Sequence, residues 1–242
     1  MSDPYVMQAQ NLLNAHGYDC GPADGIPGPR LVRCITRALE GDIGGNGSTR
    51  PYEQQPSNGE ITERVAMELV GHEAIVPEAY KDSVGVWTWG IGVTSASGHS
   101  VERYKDNPQT IQRCLEVYIW LLREKYAPGV VKAFEGHALT EAQFGAALSF
   151  HYNTGAIGKA SWVDSWKAGK QTTARHEFMN WRKPPEIIER REKERDLFFD
   201  GKWSQDGKAT VYEVAKPSYS PRWSSAKRID ISADLKAALA AS

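Results

Sequence analysis

The chain has 242 residues, 40% of them apolar, and a formal net charge of −1. That length can bury one good core with a small appendage but hardly two large domains. Because acidic and basic residues are nearly balanced and spread along the chain, the totals do not indicate a nucleic-acid partner. No run of about 18 apolar residues occurs and the start lacks a basic stretch followed by an apolar one, so we expect neither a membrane segment nor a secretory signal.

A small helical unit is predicted for residues 1–42. Apolar residues recur at helical spacing in VMQAQNLL, the turn-rich stretch HGYDCGPADGIPGP follows, and LVRCITRALE has the pattern of a second helix. Residues 43–59 are rich in glycine and carry almost no apolar periodicity, which predicts a flexible linker.

The cysteines and histidines indicate no metal chemistry. Cys20, Cys34 and Cys114 include no pair at the two-residue spacing of a metal knuckle or a redox motif. Two alternatives are left for the thiols: Cys20 and Cys34 form a disulfide in an oxidising compartment, or all three thiols are reduced and partly buried. The six histidines show no ligand spacing, so we expect neither a metal nor another cofactor.

Residues 60–203 predict a mostly helical body with one small β-hairpin lobe. The stretch ITERVAMELVGHE has an apolar stripe at helical spacing, and residues 79–93 alternate around a turn at SVG, as in an antiparallel hairpin. Further helical patterns follow, among them EIIERREKERD, whose mixed charges predict a solvated, ion-paired face. Residues 204–242 are polar until SADLKAALAA, a predicted closing helix with Ser232 as its N-cap. The expected class is α+β.

Two acidic residues flank the junction between the first helix of this body and the hairpin. Glu73 follows Leu69 by four residues and so projects from the apolar stripe, where loss of water favours the neutral, proton-carrying form of a carboxyl. Asp82 lies at the turn, where backbone N–H groups and water can keep it ionised. Thr88 returns near Asp82 across the hairpin with a hydroxyl able to orient a water molecule. This combination predicts acid/base cleavage of a glycosidic bond.

The pattern Y-x-D-x-x-G-x-x-T-x-G-x-G, from Tyr80 to Gly92, makes this combination specific. Together with the acid that ends the preceding helix, it resembles the phage-type lysozymes of glycoside hydrolase family 24. The resemblance continues through ALSFHYNTGAIG and RREKERDLFF and covers roughly residues 60 to 203. Two positions depart from the family: Val93 replaces a histidine, and Ala74 replaces the glycine that usually follows the acid.

The resemblance implies a lysozyme-like fold and hydrolysis of the β-1,4 bond between N-acetylmuramic acid and N-acetylglucosamine in bacterial peptidoglycan. By match of position, Glu73 would be the general acid, Asp82 the base or electrostatic partner, and Thr88 the residue that holds the attacking water with Asp82. These roles imply inversion, with the two carboxyls roughly 6.5 to 9.5 Å apart. Tyr152 and Asn153 match cleft-lining positions and are candidate substrate-binding residues.

The small first unit resembles the peptidoglycan-binding modules of cell-wall hydrolases. The stretch D-G-I-x-G-P, from Asp24 to Pro29, carries this resemblance, although Pro27 and Leu31 depart from the usual pattern. We expect this unit either to bind the cell wall or to be a degenerate remnant docked on the catalytic body.

Two alternatives to a lysozyme stay open. One is a non-catalytic peptidoglycan-binding protein that keeps the cleft without the reaction. The other is a lytic transglycosylase, which cleaves the same bond with a single acid and leaves an anhydro ring, whereas an Asp and a Thr accompany the acid here. As an endolysin, the chain is expected to be a monomer that waits in the host cytoplasm until another protein permeabilises the membrane.

Overall fold

The structure, a computed structural model, describes residues 2–15, 18, 20–39 and 59–241. The predicted linker at residues 43–59 lies outside these ranges except for Gly59. The chain divides into two compact units, Met1–Glu53 and Gln54–Ser242. In the described ranges, no helix is both long enough and apolar enough to cross a membrane.

The first unit contains two helices, α1 (Pro4–Ala15) and α2 (Pro29–Leu39), with a small cluster of buried side chains. Gln10 of α1 organises the turn between them, because its amide donates to Asp24 Oδ1 at 2.9 Å and accepts from the Gly25 N–H at 2.8 Å. Gly25 has a φ of +71°, a conformation that favours glycine. The D-G-I stretch is therefore an ordered loop held by α1.

The second unit is mostly helical, as predicted. Its α-helices are α3 (Glu63–Gly71), α4 (Ile111–Leu121), α5 (Ala127–Ala133), α6 (Glu141–Thr154), α7 (Ser161–Lys167), α8 (Gln171–Phe178), α9 (Ile188–Asp200) and α10 (Ser232–Ala241). Thr62 caps α3 by accepting from the Val65 N–H at 3.1 Å, and its hydroxyl donates to Glu141 at 2.6 Å. The N-termini of α3 and α6 are therefore tied together.

One five-stranded sheet lies in this unit, with the strands in the order β3-β2-β1-β4-β5. The strands are β1 (Ala74–Lys81), β2 (Trp87–Gly90), β3 (Val93–Thr94), β4 (Lys208–Val214) and β5 (Pro221–Asp230). β1 and β2 form the predicted hairpin, in which Tyr80 pairs with Thr88. β4 runs parallel to β1, and β5 runs antiparallel to β4. The sheet and the helices together confirm the predicted α+β class.

The C-terminal residues complete this unit. The sequence predicts only a closing helix there, whereas the structure places two strands before it. The predicted helix exists as α10, but Asp230 rather than Ser232 caps it, since Asp230 Oδ1 accepts from the Ser232 N–H at 2.9 Å. Leu235 of α10 is fully buried in the main core.

An aromatic cluster fixes the helices that follow the sheet. Trp162 of α7 is fully buried, and four phenylalanine rings have centroids 4.6 to 5.8 Å from its own: Phe134, Phe150, Phe178 and Phe198. Phe150 belongs to α6 and Phe198 to α9, so this packing sets the position of α9 against α6.

The segment before β4 is anchored on a buried acid of α3. Glu68 accepts from the Ser204 hydroxyl at 2.7 Å and from the Ser204 N–H at 2.9 Å, and His72 lies 3.5 Å away. Burial raises the pKa of Glu68, but His72 and the bonds from Ser204 outweigh burial, so the pKa lies below its ordinary value of 4.5.

We predict that Ser204→Ala destabilises the protein by about 1–2 kcal/mol at neutral pH, because a buried carboxylate loses one hydrogen bond. Since folding lowers the pKa of Glu68, its stabilisation is present above pH 4.5 and is lost as the pH falls through the folded-state pKa. Urea denaturation at neutral and at acidic pH measures both effects. The exposed Ser224→Ala is the control, and equal stability of the two variants at neutral pH would contradict the anchor.

Candidate active site

Glu73 lies between α3 and β1, and its side chain is 23% exposed. Its Oε1 accepts a hydrogen bond from Arg190 Nη1 at 2.5 Å. The expectation of apolar surroundings for Glu73 is therefore wrong, because α9 brings a guanidinium to the end of α3 from a segment 117 residues later.

Arg190 connects Glu73 to a buried ionic network. Its Nε donates to Glu194 Oε1 at 2.9 Å, and its Nη2 donates to the Ser149 carbonyl at 3.3 Å. Glu194 is fully buried and also accepts from the Ser149 hydroxyl at 2.5 Å and from Arg191. Two carboxyl groups and two guanidiniums therefore form one network, which reaches from the contact between α6 and α9 to the end of α3.

The predicted solvated face of α9 is wrong at these positions. Arg191 and Glu194 are fully buried, and Arg190 is nearly so. The sequence spacing correctly predicts ion pairs within the helix, at i,i+3 and i,i+4. A pattern of charges does not show, however, which face of the helix is covered by another element. The rings of the buried residues Phe150 and Phe178 pack against the Arg191 guanidinium and so cover this face of α9.

Asp82 lies at the tight turn between β1 and β2, as predicted. Its Oδ1 accepts from the Val84 N–H and the Val86 N–H, both at 2.9 Å. The turn is closed by the Gly85 N–H, which donates to the Asp82 carbonyl at 3.0 Å. The backbone thus fixes one carboxylate oxygen and orients the other.

Thr88 faces the same side of the hairpin as Asp82. Thr88 pairs with Tyr80, two residues before Asp82, so strand alternation gives the two side chains one face and diagonal positions. Thr88 is 4% exposed, and its hydroxyl donates to the Val86 carbonyl at 3.2 Å. Because the proton of this hydroxyl is engaged, its lone pairs are the part that can bind a water molecule.

The pKa of the Tyr80 hydroxyl is affected by both candidate acids. Burial raises the pKa of Tyr80 to about 12, and the negative charges of Glu73 and Asp82 act in the same direction. Burial and Glu73 likewise raise the pKa of Tyr126, and that of Tyr118 lies well above its ordinary value. Both candidate acids therefore act electrostatically on Tyr80, and Glu73 also acts on Tyr118 and Tyr126.

The two candidate substrate-binding residues have structural partners. Tyr152 donates to the Ile91 carbonyl at 2.6 Å, which ties the end of α6 to the turn between β2 and β3. Gly92 is needed there, because a Cβ at this position would approach Tyr152 Oη to 2.7 Å. Asn153 is exposed, and its Oδ1 accepts from Arg191 at 2.6 Å. Their role in binding substrate stays a prediction.

The C-terminal hairpin holds both ends of β1, the strand that links Glu73 to Asp82: β4 holds one end and the turn between β4 and β5 holds the other. At the Glu73 end, Ala74 pairs with Thr210 of β4. At the Asp82 end, the Lys81 N–H donates to the Tyr219 carbonyl at 2.7 Å. Because β1 has a register irregularity between Val76 and Tyr80, external pairing at both ends fixes a strand that its own hairpin leaves irregular.

In the part of the chain that the structure describes, no three His, Cys, Asp or Glu side chains are grouped as metal ligands. Cys114 is buried, which raises the pKa of its thiol to about 12.

A family model described as phage lysozyme matches residues 70–194. Among solved structures, an endolysin from Escherichia coli O157:H7 phage FAHEc1 is 22% identical with a TM-score of 0.55, and the match covers 62% of this chain and 99% of that chain. A lysozyme mutant from phage P22 is 24% identical with a TM-score of 0.48, covering 57% of this chain and 97% of that chain. The first likeness supports a lysozyme-like fold. A comparison with curated proteins finds no match.

We predict that Arg190→Lys destabilises the protein by about 1–3 kcal/mol, because one ammonium cannot replace a guanidinium that binds two carboxylates and a carbonyl. Urea denaturation measures the loss. Arg195→Lys on the same helix is the matched control, since Arg195 is more exposed and pairs only with its neighbour Asp196. Equal stability of the two variants would show that the network does not depend on the shape of Arg190.

Proposed function

Because the chain belongs to the phage lysozyme family, we propose that it is an endolysin with muramidase activity. It hydrolyses the β-1,4 bond between N-acetylmuramic acid and N-acetylglucosamine in bacterial peptidoglycan. The observation that carries this proposal is the position of Glu73, held by Arg190 at the start of the strand that leads to Asp82. Both acids and Thr88 lie within the matched residues.

Glu73 is the proposed general acid. Arg190 binds Oε1, so we assign the transferable proton to Oε2. When Glu73 gives this proton to the glycosidic oxygen, its carboxylate becomes negative, and the guanidinium already in contact stabilises that charge. The contact thus assists bond cleavage most at the stage when the charge develops.

Asp82 and Thr88 are proposed to hold the attacking water. Two N–H groups occupy Asp82 Oδ1, which leaves Oδ2 to accept a proton from the water. Thr88 accepts the second water hydrogen, since its own proton is directed to Val86. The water oxygen then bonds to the anomeric carbon opposite the departing sugar, and the configuration inverts.

The two alternatives differ from this proposal in ways that the residues address. A lytic transglycosylase uses the sugar's own hydroxyl as nucleophile and has no use for a water held by Asp82 and Thr88. A non-catalytic wall-binding protein has no use for an acid held against Arg190, because positioning a carboxyl in this way costs stability without improving binding. Hydrolysis is therefore the reaction that uses all four groups.

We propose that the first unit binds the cell wall. Its loop is fixed by Gln10 and Asp24, and several large apolar side chains of the unit are exposed: Tyr5, Leu12, Ile26, Val32 and Ile35. A forty-residue unit that leaves so much apolar surface uncovered has the character of a binding module. We also propose that the enzyme is a monomer without a nucleic-acid partner, which accumulates in the host cytoplasm and reaches the periplasmic wall once the membrane is permeabilised.

We predict that Glu73→Gln abolishes the clearing of purified peptidoglycan while leaving the protein folded, because the amide cannot donate an acidic proton. Turbidity measures activity, and circular dichroism measures folding. Glu189→Gln is the matched control, since Glu189 is exposed and pairs only with Lys193. Clearing by Glu73→Gln at the wild-type rate would remove Glu73 from the mechanism.

Mass spectrometry of the released fragments tests the reaction class. Reducing muramic acid ends are expected for hydrolysis, 1,6-anhydro ends would identify a transglycosylase, and free amines would identify an amidase or a peptidase. Absence of any cleaved product would favour the non-catalytic alternative.

We predict that deleting residues 1–42 weakens retention on purified sacculi while hydrolysis of short soluble glycan fragments continues. Co-sedimentation measures retention, and reducing-end release measures hydrolysis. The full chain carrying Tyr5→Ala tests the exposed surface directly. Unchanged retention after deletion would assign wall binding to the second unit alone.

A further inference from the structure

The C-terminal hairpin presents an aromatic and basic surface that the catalytic roles do not use. Trp223 of β5 is 69% exposed, and its ring meets the ring of Tyr212 of β4 edge-on at 5.1 Å. Residues 208–230 contain five basic and two acidic residues in a chain whose net charge is −1. This surface lies outside the matched family segment, which ends at residue 194.

A bulge in β5 displays Trp223. The pairing of β4 with β5 shifts between Val211 and Glu213, because β5 has additional residues there. Ser225 fixes the bulge, since its hydroxyl accepts from the Glu213 N–H at 2.9 Å and donates to the Arg222 carbonyl at 2.7 Å. Bulges of this kind change the direction in which a side chain points, and here an exposed tryptophan lies on a hydrogen-bonded hairpin.

This surface continues the face of the sheet beside Glu73. Ala74, the residue after Glu73, pairs with Thr210, and Thr210 pairs with Arg228. Ala209 is buried and lies on the core side, so alternation places Thr210 and Tyr212 on the opposite, outer side. Adjacent strands lie about 4.8 Å apart, which places β5 about 10 Å from β1.

We propose that Tyr212, Trp223 and the adjacent basic side chains form an additional subsite for the peptidoglycan strand that the active site cleaves. A sugar ring has an apolar face that can lie against an indole, and the peptide stems of peptidoglycan carry carboxylates that complement the basic residues. The polymer is long enough to reach from β1 to β5. This inference rests on the proposed function, because the same strand occupies both places.

The basic side chains of the hairpin lie against acidic side chains of the same chain. Glu213 pairs with Arg222 and lies 3.8 Å from Lys227, and Arg228 pairs with Asp206 at 2.7 Å. These acids orient the basic side chains, and Lys216, in the turn of the hairpin, pairs with Glu78 and Asp106. Exposed charge pairs of this kind are weak, so an incoming carboxylate competes for the same side chains.

Co-sedimentation with purified sacculi tests the subsite in the full chain carrying Glu73→Gln, which keeps the sacculi intact. Adding Trp223→Ala is expected to weaken retention about fivefold, the effect of losing one aromatic contact. Trp223→Phe keeps a ring and is expected to restore most of the retention. Trp120→Ala, at an exposed tryptophan of α4, is the control for removing an indole elsewhere.

The readout separates this inference from the proposed function. Retention depends on binding alone, whereas failure of the proposed function would appear as wild-type protein that releases no reducing muramic acid ends. Retention of the Trp223→Ala variant equal to that of its parent would overturn the subsite. Trp223-dependent binding to phosphatidylglycerol vesicles without Trp223-dependent retention on sacculi would also overturn it and assign the surface to a membrane.

Discussion

The ionic network at the contact between α6 and α9 is the constraint on which the site depends. Arg190 and Arg191 face Glu194 in a region closed to solvent, and Arg190 extends the network to Glu73. Removal of one member leaves a buried charge without compensation, which costs about 3–5 kcal/mol in measured cases. The same interaction therefore ties α9 to α6 and brings a guanidinium to Glu73.

The sequence predicts those parts of the site that are local. Glu73, the turn at Asp82 and Thr88 all lie within sixteen residues, and turn chemistry and strand alternation determine their arrangement. The family resemblance is confirmed by the phage lysozyme match. Arg190 could not be assigned in the same way, since its contact with Glu73 spans 117 residues and a helical pattern of charges does not identify its buried side.

The C-terminal strands show a different reason for a missed prediction. β4 contains TVYEV, which has the β-branched and aromatic content of a strand, but β5 is polar along most of its length. An edge strand with one face in solvent needs few apolar residues, so the hydrophobic pattern that reveals a buried strand is absent. The pairing partner of β4 is also remote, because β1 precedes it by more than a hundred residues.

The pairing of Ala74 with Thr210 means that β1 is completed by residues synthesised much later. A chain that grows on the ribosome exposes Glu73 long before the strand that borders it, and Tyr219, whose carbonyl holds Lys81, follows later still. Domains otherwise tend to fold from the N-terminus during translation. β1 therefore gains its pairing at both ends only after residue 219 has emerged, long after its own hairpin with β2 has been synthesised.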